Sequence, residues 1–264
     1  MILDAFMSSG GPAAAALLLF RFTGLLAVAP LFSARAVPLR IKAALTALLV
    51  LLVLPAAVGK AGPDLQVSPE MIVAEFAVGF TLGFAAGVIV HGAEIAGDFV
   101  AVQTGLSGAN LLDPLSETQM PVLGQFLGLT MTAAFLTIGG HRVVLDAAAH
   151  SLDVVPQGAG LRPEGLVPLV NIGGQLFVLG LQLAAPVIAA ITIGNVALGV
   201  LARTVPQLNV LLTAFPLQIG IGLLVLATSL PILGYLILGW PAEFQNLSDG
   251  ILLQLAPDPG GGNE

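Results

Sequence analysis

Two clusters of ionisable side chains have spacings that could support chemistry. His91, Glu94 and Asp98 lie at positions i, i+3 and i+7, so they share one face of a helix. Side chains of these types can bind a divalent cation or relay protons. A second cluster with a similar spacing comprises Asp146, His150 and Asp153. Both patterns are also typical of the wet end of an amphipathic helix, and neither contains the paired histidines of an HExxH zinc site.

A third motif, Gly105-Leu106-Ser107-Gly108, has the G-x-S-G form of intramembrane serine proteases. In a chain with 32 Gly residues, so short a motif has roughly a one-in-eight expectation of occurring by chance. The histidines available as a base, His141 and His150, fall in a polar connector, not in the core of a later helix. The motif alone therefore does not establish an enzyme.

Side-chain amides occur at intervals within the apolar last third of the chain. An amide cannot remain unpaired in lipid, so these groups are expected to face other helices or a water-lined space. Such a pattern favours a protein that is buried among partner subunits or that lines a conduit. The amides are those of Asn171, Gln175, Gln182, Gln207, Asn209 and Gln218.

The composition explains why these polar groups stand out. Of the 264 residues, 57% are hydrophobic and only 9% are charged, whereas a soluble domain carries about 25% charge. The mean hydropathy is +1.01, which predicts an all-α membrane protein. A net charge of −7 with only eight Lys and Arg argues against nucleic acid as a partner, and the absence of Cys excludes disulfides and thiolate metal sites. No cofactor is expected.

About six apolar segments fit into this length. The first four are expected at about 11–32, 43–58, 71–93 and 120–138, with a polar stretch after the third and a short amphipathic helix from about residue 143. Arg21 interrupts the first segment, which argues against a cleaved signal peptide. Glu75 lies near the start of the third and is expected to reach the membrane interface.

The last two segments are unusually long. Arg203 alone separates two charge-free runs, Gly165–Ala202 and Thr204–Ala242. Their prolines predict bent helices or helical hairpins. Residues 1–255 are thus predicted to form a single integral helical domain, and residues 256–264 a disordered polar tail.

The third segment also carries a glycine ridge. Gly79, Gly83 and Gly87 recur every four residues, which forms a groove into which another helix backbone can fit. The ridge therefore predicts a close helix contact, either within the chain or with another subunit.

Several short strings of the sequence together form a recognisable pattern. The most specific is Pro206-Gln207-Leu208-Asn209-Val210 followed by Phe215-Pro216-Leu217; the others include Pro38, Arg40, Gly97, Gln103 and His141. In their order and spacing these strings resemble the FliR family of type III export-gate proteins. They extend over about residues 15–235. The chain departs from the family where Leu112 and Leu211 replace a frequent Phe and Gln218 replaces a Lys.

This resemblance implies a non-enzymatic subunit in the inner membrane, within the flagellar basal body. The subunit would resemble a FliP-like piece joined to a FliQ-like piece. Its expected partners are FliP, FliQ, FlhB and FlhA, unfolded flagellar proteins as substrates, and membrane lipid. The resemblance also implies a plug loop that closes the pore, formed here by Gly105, Leu106, Ser107, Gly108, Ala109, Asn110, Leu111, Leu112, Asp113 and Pro114.

A proton- or cation-coupled transporter or channel is the alternative. In that hypothesis the cluster at His91, Glu94 and Asp98 carries the ions and the broken last segments form the site. Against it, the chain shows no convincing internal repeat, and neither of the long runs contains an acidic residue.

Overall fold

The computed structural model describes residues 10–33, 37–58, 65, 67–108, 122–159, 167–204 and 210–256. All regular elements within these ranges are helical, which confirms the all-α prediction. They are α1 (Gly11–Val28), α2 (Leu39–Val58), α3 (Pro69–Gln103), a 3-10 turn (Leu106–Gly108), α4 (Val122–Thr137), α5 (Gly140–Val154), α6 (Val167–Thr204) and α7 (Val210–Leu255).

The helix lengths fit a membrane protein. Five helices, namely α1, α2, α3, α6 and α7, are long and apolar enough to cross a bilayer, and the total rises to six if α4 and α5 together count as one span. The second predicted segment was too short, because its helix begins at Leu39 and has 20 residues. That length is sufficient for a full crossing.

The third helix extends beyond the predicted segment. That segment was predicted at about 71–93, yet α3 continues to Gln103 as one helix of 35 residues. The reason is that apolar residues alternate with its carboxylates, and Ala96, Val100 and Ala101 are buried. A helix with one apolar face can carry charges on its other face.

Within the described residues, each long charge-free run contributes a single helix, so these parts do not adopt the hairpin that was one of the two expected forms. α6 has 38 residues with Pro186 in its interior, and α7 has 46. An interior proline removes one backbone hydrogen bond, which a long apolar helix tolerates. At about 1.5 Å per residue the two helices are about 57 and 69 Å long, roughly twice the hydrocarbon thickness of a bilayer.

The chain divides into two compact units. Unit 1 comprises Met1–Val88, Gly139–Gly173 and Pro241–Glu264, and unit 2 comprises Ile89–Ile138 and Gly174–Trp240. A single domain over residues 1–255 stays a prediction, and residues 257–264 of the predicted polar tail lie outside the described residues.

A buried ion pair lies at the centre of unit 1. The Arg21 side chain in α1 is 1% exposed and that of Glu75 in α3 is 3% exposed, and Arg21 Nε donates to Glu75 Oε2 at 2.5 Å. The guanidinium also donates to Ser151 Oγ at 3.0 Å and to the Val155 carbonyl oxygen at 2.9 Å. Glu75 Oε1 in turn accepts from the Gly158 amide at 3.3 Å. Glu75 therefore does not reach the membrane interface as expected, because it neutralises a cation in the core.

The predicted amphipathic helix is present as α5, and its apolar face is buried. Its buried residues include Val144, Ala147, Ala148, Ser151 and Leu152, which matches the sequence pattern. Ser151 lies on this face because its hydroxyl donates to the Ala148 carbonyl at 2.6 Å while accepting from Arg21. Helix α5 thus provides both apolar surface and a polar partner to the core of unit 1.

The glycine ridge of α3 lies against the backbone of α1. A Cβ atom added at Gly83 would lie 2.5 Å from the Leu25 carbonyl oxygen, and one added at Gly79 would overlap the Arg21 carbonyl. Gly24 of α1 lies equally close to the backbone of α3 at Phe80. Two helices can approach this closely only where neither carries a side chain.

Replacement of Arg21 by Met is expected to lower the free energy of unfolding by about 3–5 kcal/mol, because Glu75 is then a buried charge without its cation. The double variant Arg21→Met, Glu75→Met should regain much of this loss, since no buried charge remains. Thermal unfolding in detergent measures both effects. Arg142→Met is the matched control, because Arg142 is exposed; equal effects of Arg21→Met and Arg142→Met would contradict the prediction.

Replacement of Gly83 by Ala is expected to lower the unfolding temperature by several degrees, because the new methyl group overlaps the backbone of α1. Gly234→Ala in α7 is the control, since a Cβ there has no atom within 4 Å and Ala raises helix propensity at both positions. Thermal unfolding of the two variants, measured side by side, tests the contact. If Gly83→Ala were as stable as Gly234→Ala, the close approach would not exist.

Candidate functional site

The C-terminal end of α3 leads into the loop predicted to act as a plug. The Thr104 amide donates to the Val100 carbonyl at 2.9 Å, and its hydroxyl donates to the same oxygen at 2.8 Å. Gly105 then has φ +76°, a left-handed conformation that glycine adopts without strain. The chain therefore leaves the helix at a fixed point and turns sharply.

Helix α7 packs against this turn. A Cβ added at Gly105 would lie 2.8 Å from the ring of Phe215, and the Thr104 side chain contacts α7 at Gly222. Near Phe215, Gln218 Nε2 donates to Asn195 Oδ1 of α6 at 2.6 Å. The first turns of α7 thus hold the beginning of the loop and also connect to α6 through a neutral hydrogen bond.

Only the first part of the predicted plug belongs to the described residues. Leu106–Gly108 form a single 3-10 turn, and the Leu106 side chain is 38% exposed. Residues 109–114 of the loop lie outside the described part of the chain. Among the described residues no hydrogen bond joins Ser107 to a histidine, so nothing there favours the protease hypothesis.

The cluster at His91, Glu94 and Asp98 is used in helix packing. Added Cβ atoms at Gly124 and Gly128 of α4 would overlap the Asp98 and Glu94 carboxylates respectively, so each carboxylate fills a notch left by a glycine. His91 Nδ1 lies 2.9 Å from Glu94 Oε2. In the described ranges no group of three or more His, Cys, Asp or Glu residues could hold a metal ion.

The second cluster forms weak surface pairs. His150 Nδ1 lies 3.6 Å from Asp153 Oδ2, and His150 Nε2 lies 3.9 Å from Asp249 Oδ1 of α7. All three side chains are about half exposed. Pairs of this kind contribute little to stability because water screens them.

Comparison with known proteins establishes the family. Residues 13–241 match the family model described as "Bacterial export proteins, family 1". The chain is 30% identical to the flagellar biosynthetic protein FliR of Escherichia coli K12, with 90% of this chain and 92% of that protein covered. It is 31% identical to FliR of Pectobacterium carotovorum, with 81% and 82% covered, and 34% identical to FliR of Aquifex aeolicus, with 60% and 62% covered.

The chain belongs to the FliR family. The resemblance noted in its sequence strings is confirmed. Two of these strings, around Gly105 and around Phe215, meet in space at the start of the predicted plug.

The other residues of the FliR-like strings have varied surroundings. Pro38 precedes α2, where its carbonyl accepts from the Ile41 amide at 2.9 Å, and Arg40 is exposed in the first turn. A Cβ at Gly97 would lie 2.5 Å from the Leu123 carbonyl oxygen of α4. Gln103 ends α3, Pro216 lies inside α7, and His141 of α5 has a buried Nδ1 without a partner among the described residues. Pro206, Gln207 and Asn209 lie outside the described residues.

Sequence reasoning missed the residues that contact Arg21, Glu94 and Asp98. Arg21 was treated as an interruption, although it is the one charge within the first apolar segment. A cation inside a membrane segment requires a partner, and Glu75, inside the third segment, was a visible candidate. The contribution of Gly124 and Gly128 had no comparable signal, since only the structure shows which helix faces Glu94 and Asp98.

Replacement of Gly105 by Ala is expected to destabilise the start of the loop for two reasons, the positive φ and the overlap with Phe215. Adding Phe215→Ala to Gly105→Ala should remove the overlap and leave a residual strain of about 1–2 kcal/mol. A double-mutant cycle based on thermal unfolding separates the effect of the positive φ from the effect of the overlap with Phe215. Gly239→Ala, which has no atom near the added methyl, is the control; purely additive effects would exclude the contact.

Proposed function

We propose that this chain is a core subunit of the flagellar type III export gate in the bacterial inner membrane. It assembles with FliP- and FliQ-type subunits, with FlhB and near FlhA, into a conduit for unfolded flagellar proteins. The observation that carries the proposal is the match to bacterial export proteins over residues 13–241, combined with helices whose apolar faces the chain itself does not cover.

The uncovered apolar surface is concentrated in three helices. Only 22% of the most apolar window is buried in each of α2, α6 and α7, compared with 61% in α3. The excess length of α6 and α7 over a bilayer means that lipid cannot cover all of this surface if the helices stand upright. Subunits that wind around a conduit would cover it.

Exposed amides support neighbouring subunits over lipid alone. Asn171, Gln175 and Gln182 share one face of α6, and all three are exposed. At the edge of this face, Gly174 has no atom within 4 Å of an added Cβ. Small residues and amides together are the usual composition of a contact between membrane helices.

The loop from Gly105 to Pro114 is proposed as the plug. Glycine at 105 and 108 permits large dihedral changes, and leucines at 106, 111 and 112 exclude water and ions without binding a substrate tightly. The contact of Phe215 with Gly105 fixes one end of the loop, so that opening moves the remainder about this point. The subunit is non-enzymatic, and the sequence contains no phosphate-binding nucleotide motif, so the energy for opening comes from elsewhere.

Co-expression with the neighbouring export genes tests the assembly. Membranes are extracted with detergent, and the size and composition of the complex that contains this chain are determined. Recovery in one large complex with FliP- and FliQ-type proteins is expected. A stable monomer with intrinsic ion transport would contradict the gate and favour a transporter.

Deletion of Leu106–Leu112 is expected to leave the complex intact and to make the membrane permeable to small ions, because the apolar seal is removed. Conductance of the purified complex in planar bilayers measures this change. A variant of equal length, in which residues 106–112 are replaced by Gly and Ser, separates loss of the seal from strain in the shortened loop. Unchanged conductance of an assembled complex would exclude the plug assignment.

A further inference from the structure

An apolar cavity between α1 and α2 has a lysine in its wall. The cavity has a volume of about 450 Å³, and its lining includes Leu19, Leu26 and Ala27 of α1 together with Leu39, Ala43 and Ala47 of α2. The alanines leave the space that larger side chains would fill. A second cavity of about 250 Å³, lined by Leu31, Phe32 and Val37 among others, lies at the turn between the same two helices.

Lys42 lines both cavities. Both also lie next to the turn that joins α1 to α2, since residues at the end of α1 and at the start of α2 contribute to their walls. Arg40 is exposed two positions before Lys42 and lines neither cavity, because side chains at i and i+2 of a helix do not share a face. No carboxylate within the described residues lies at ion-pair distance from Lys42 or Arg40.

This arrangement is unusual in this chain. It carries only eight Lys and Arg and a net charge of −7, yet one of these cations lies in the wall of two apolar cavities. A groove that is apolar along its length and basic at its interfacial end is complementary to an amphiphile with an anionic head. Basic pockets between membrane helices bind the headgroups of anionic lipids for this reason.

The size of the cavity favours a lipid chain over a helix of another subunit. A helix about 10 Å wide occupies about 420 Å³ per turn, so the cavity would hold a single turn. Its volume is within the range of small-ligand sites. Leu39, which lines the cavity, is 81% exposed, which is the surface expected where acyl chains reach the groove.

We infer that the groove between α1 and α2 binds one anionic phospholipid, with an acyl chain in the cavity and the phosphate near Lys42. This binding does not depend on the proposed export function. The lipid bound at this position is defined by its negative charge. It differs in this respect from the lipids that only surround the protein.

Native mass spectrometry of the full-length protein, recovered from membranes in a neutral detergent and delipidated, tests the inference. The probes are phosphatidylglycerol and phosphatidylcholine with identical acyl chains. The protein should retain one phosphatidylglycerol in preference to phosphatidylcholine. Lys42→Gln should weaken phosphatidylglycerol binding about fivefold, without affecting phosphatidylcholine.

Three further variants separate the effect of the Lys42 charge from the effect of the cavity volume. Lys42→Arg should retain the preference, and Arg142→Gln, which removes an exposed cation outside the groove, should have no effect. Ala47→Phe should weaken retention of both lipids, because the ring fills the cavity; its unfolding temperature serves to verify folding.

Equal retention of the two lipids, or an unaltered preference in Lys42→Gln, would overturn the inference. So would unaltered lipid retention in Ala47→Phe combined with loss of a co-purifying subunit, since that result would assign the groove to a protein segment.

Discussion

The buried cation of Arg21 imposes the strictest constraint on unit 1. A charged side chain in an apolar core costs several kcal/mol unless it is paired and hydrogen-bonded. Here the guanidinium is paired by Glu75 from α3, by Ser151 from α5 and by the Val155 carbonyl just beyond α5. Two parts of the sequence, far from Arg21 and from each other, must therefore converge on one side chain. Because the donor directions of the planar guanidinium are divided between α3 and the C-terminal end of α5, the ion pair also fixes how those elements are oriented.

Close backbone contact makes this convergence possible. Gly79 and Gly83 of α3 let α1 approach so closely that a methyl group would not fit. The same principle operates in unit 2, where Gly124 and Gly128 of α4 accommodate the carboxylates of α3. In both units glycine provides space, in one case for a backbone and in the other for a charged side chain. The high glycine content of the chain thus reflects packing between helices at least as much as turns.

Much of the fold could be predicted from hydropathy alone. The positions of α1, α4 and α5 follow from apolar runs and from a 3.6-residue period, and these features are local. The extent of α3 and the single-helix form of α6 and α7 could not be predicted in this way. Polar residues and prolines end a helix in some surroundings and lie inside a helix in others. Pro186 breaks a helix in water but remains inside one here. The meeting of Gly105 with Phe215 was equally inaccessible, since the two residues are 110 positions apart and no local pattern relates them.

The sequence separation within the Arg21 cluster has a consequence for biosynthesis. Arg21 and Val155 are 134 residues apart, and a ribosome adds about 5–20 residues per second. The first helix therefore exists for roughly 7–27 s before its last hydrogen-bond acceptor has been translated. Until Ser151 and Val155 have been translated, the guanidinium donors that they satisfy must be hydrated, or held by another protein, at the membrane or the insertion machinery. A chain that terminates before residue 151 lacks both of these acceptors, so the incompletely paired cation marks an incomplete product at its first helix.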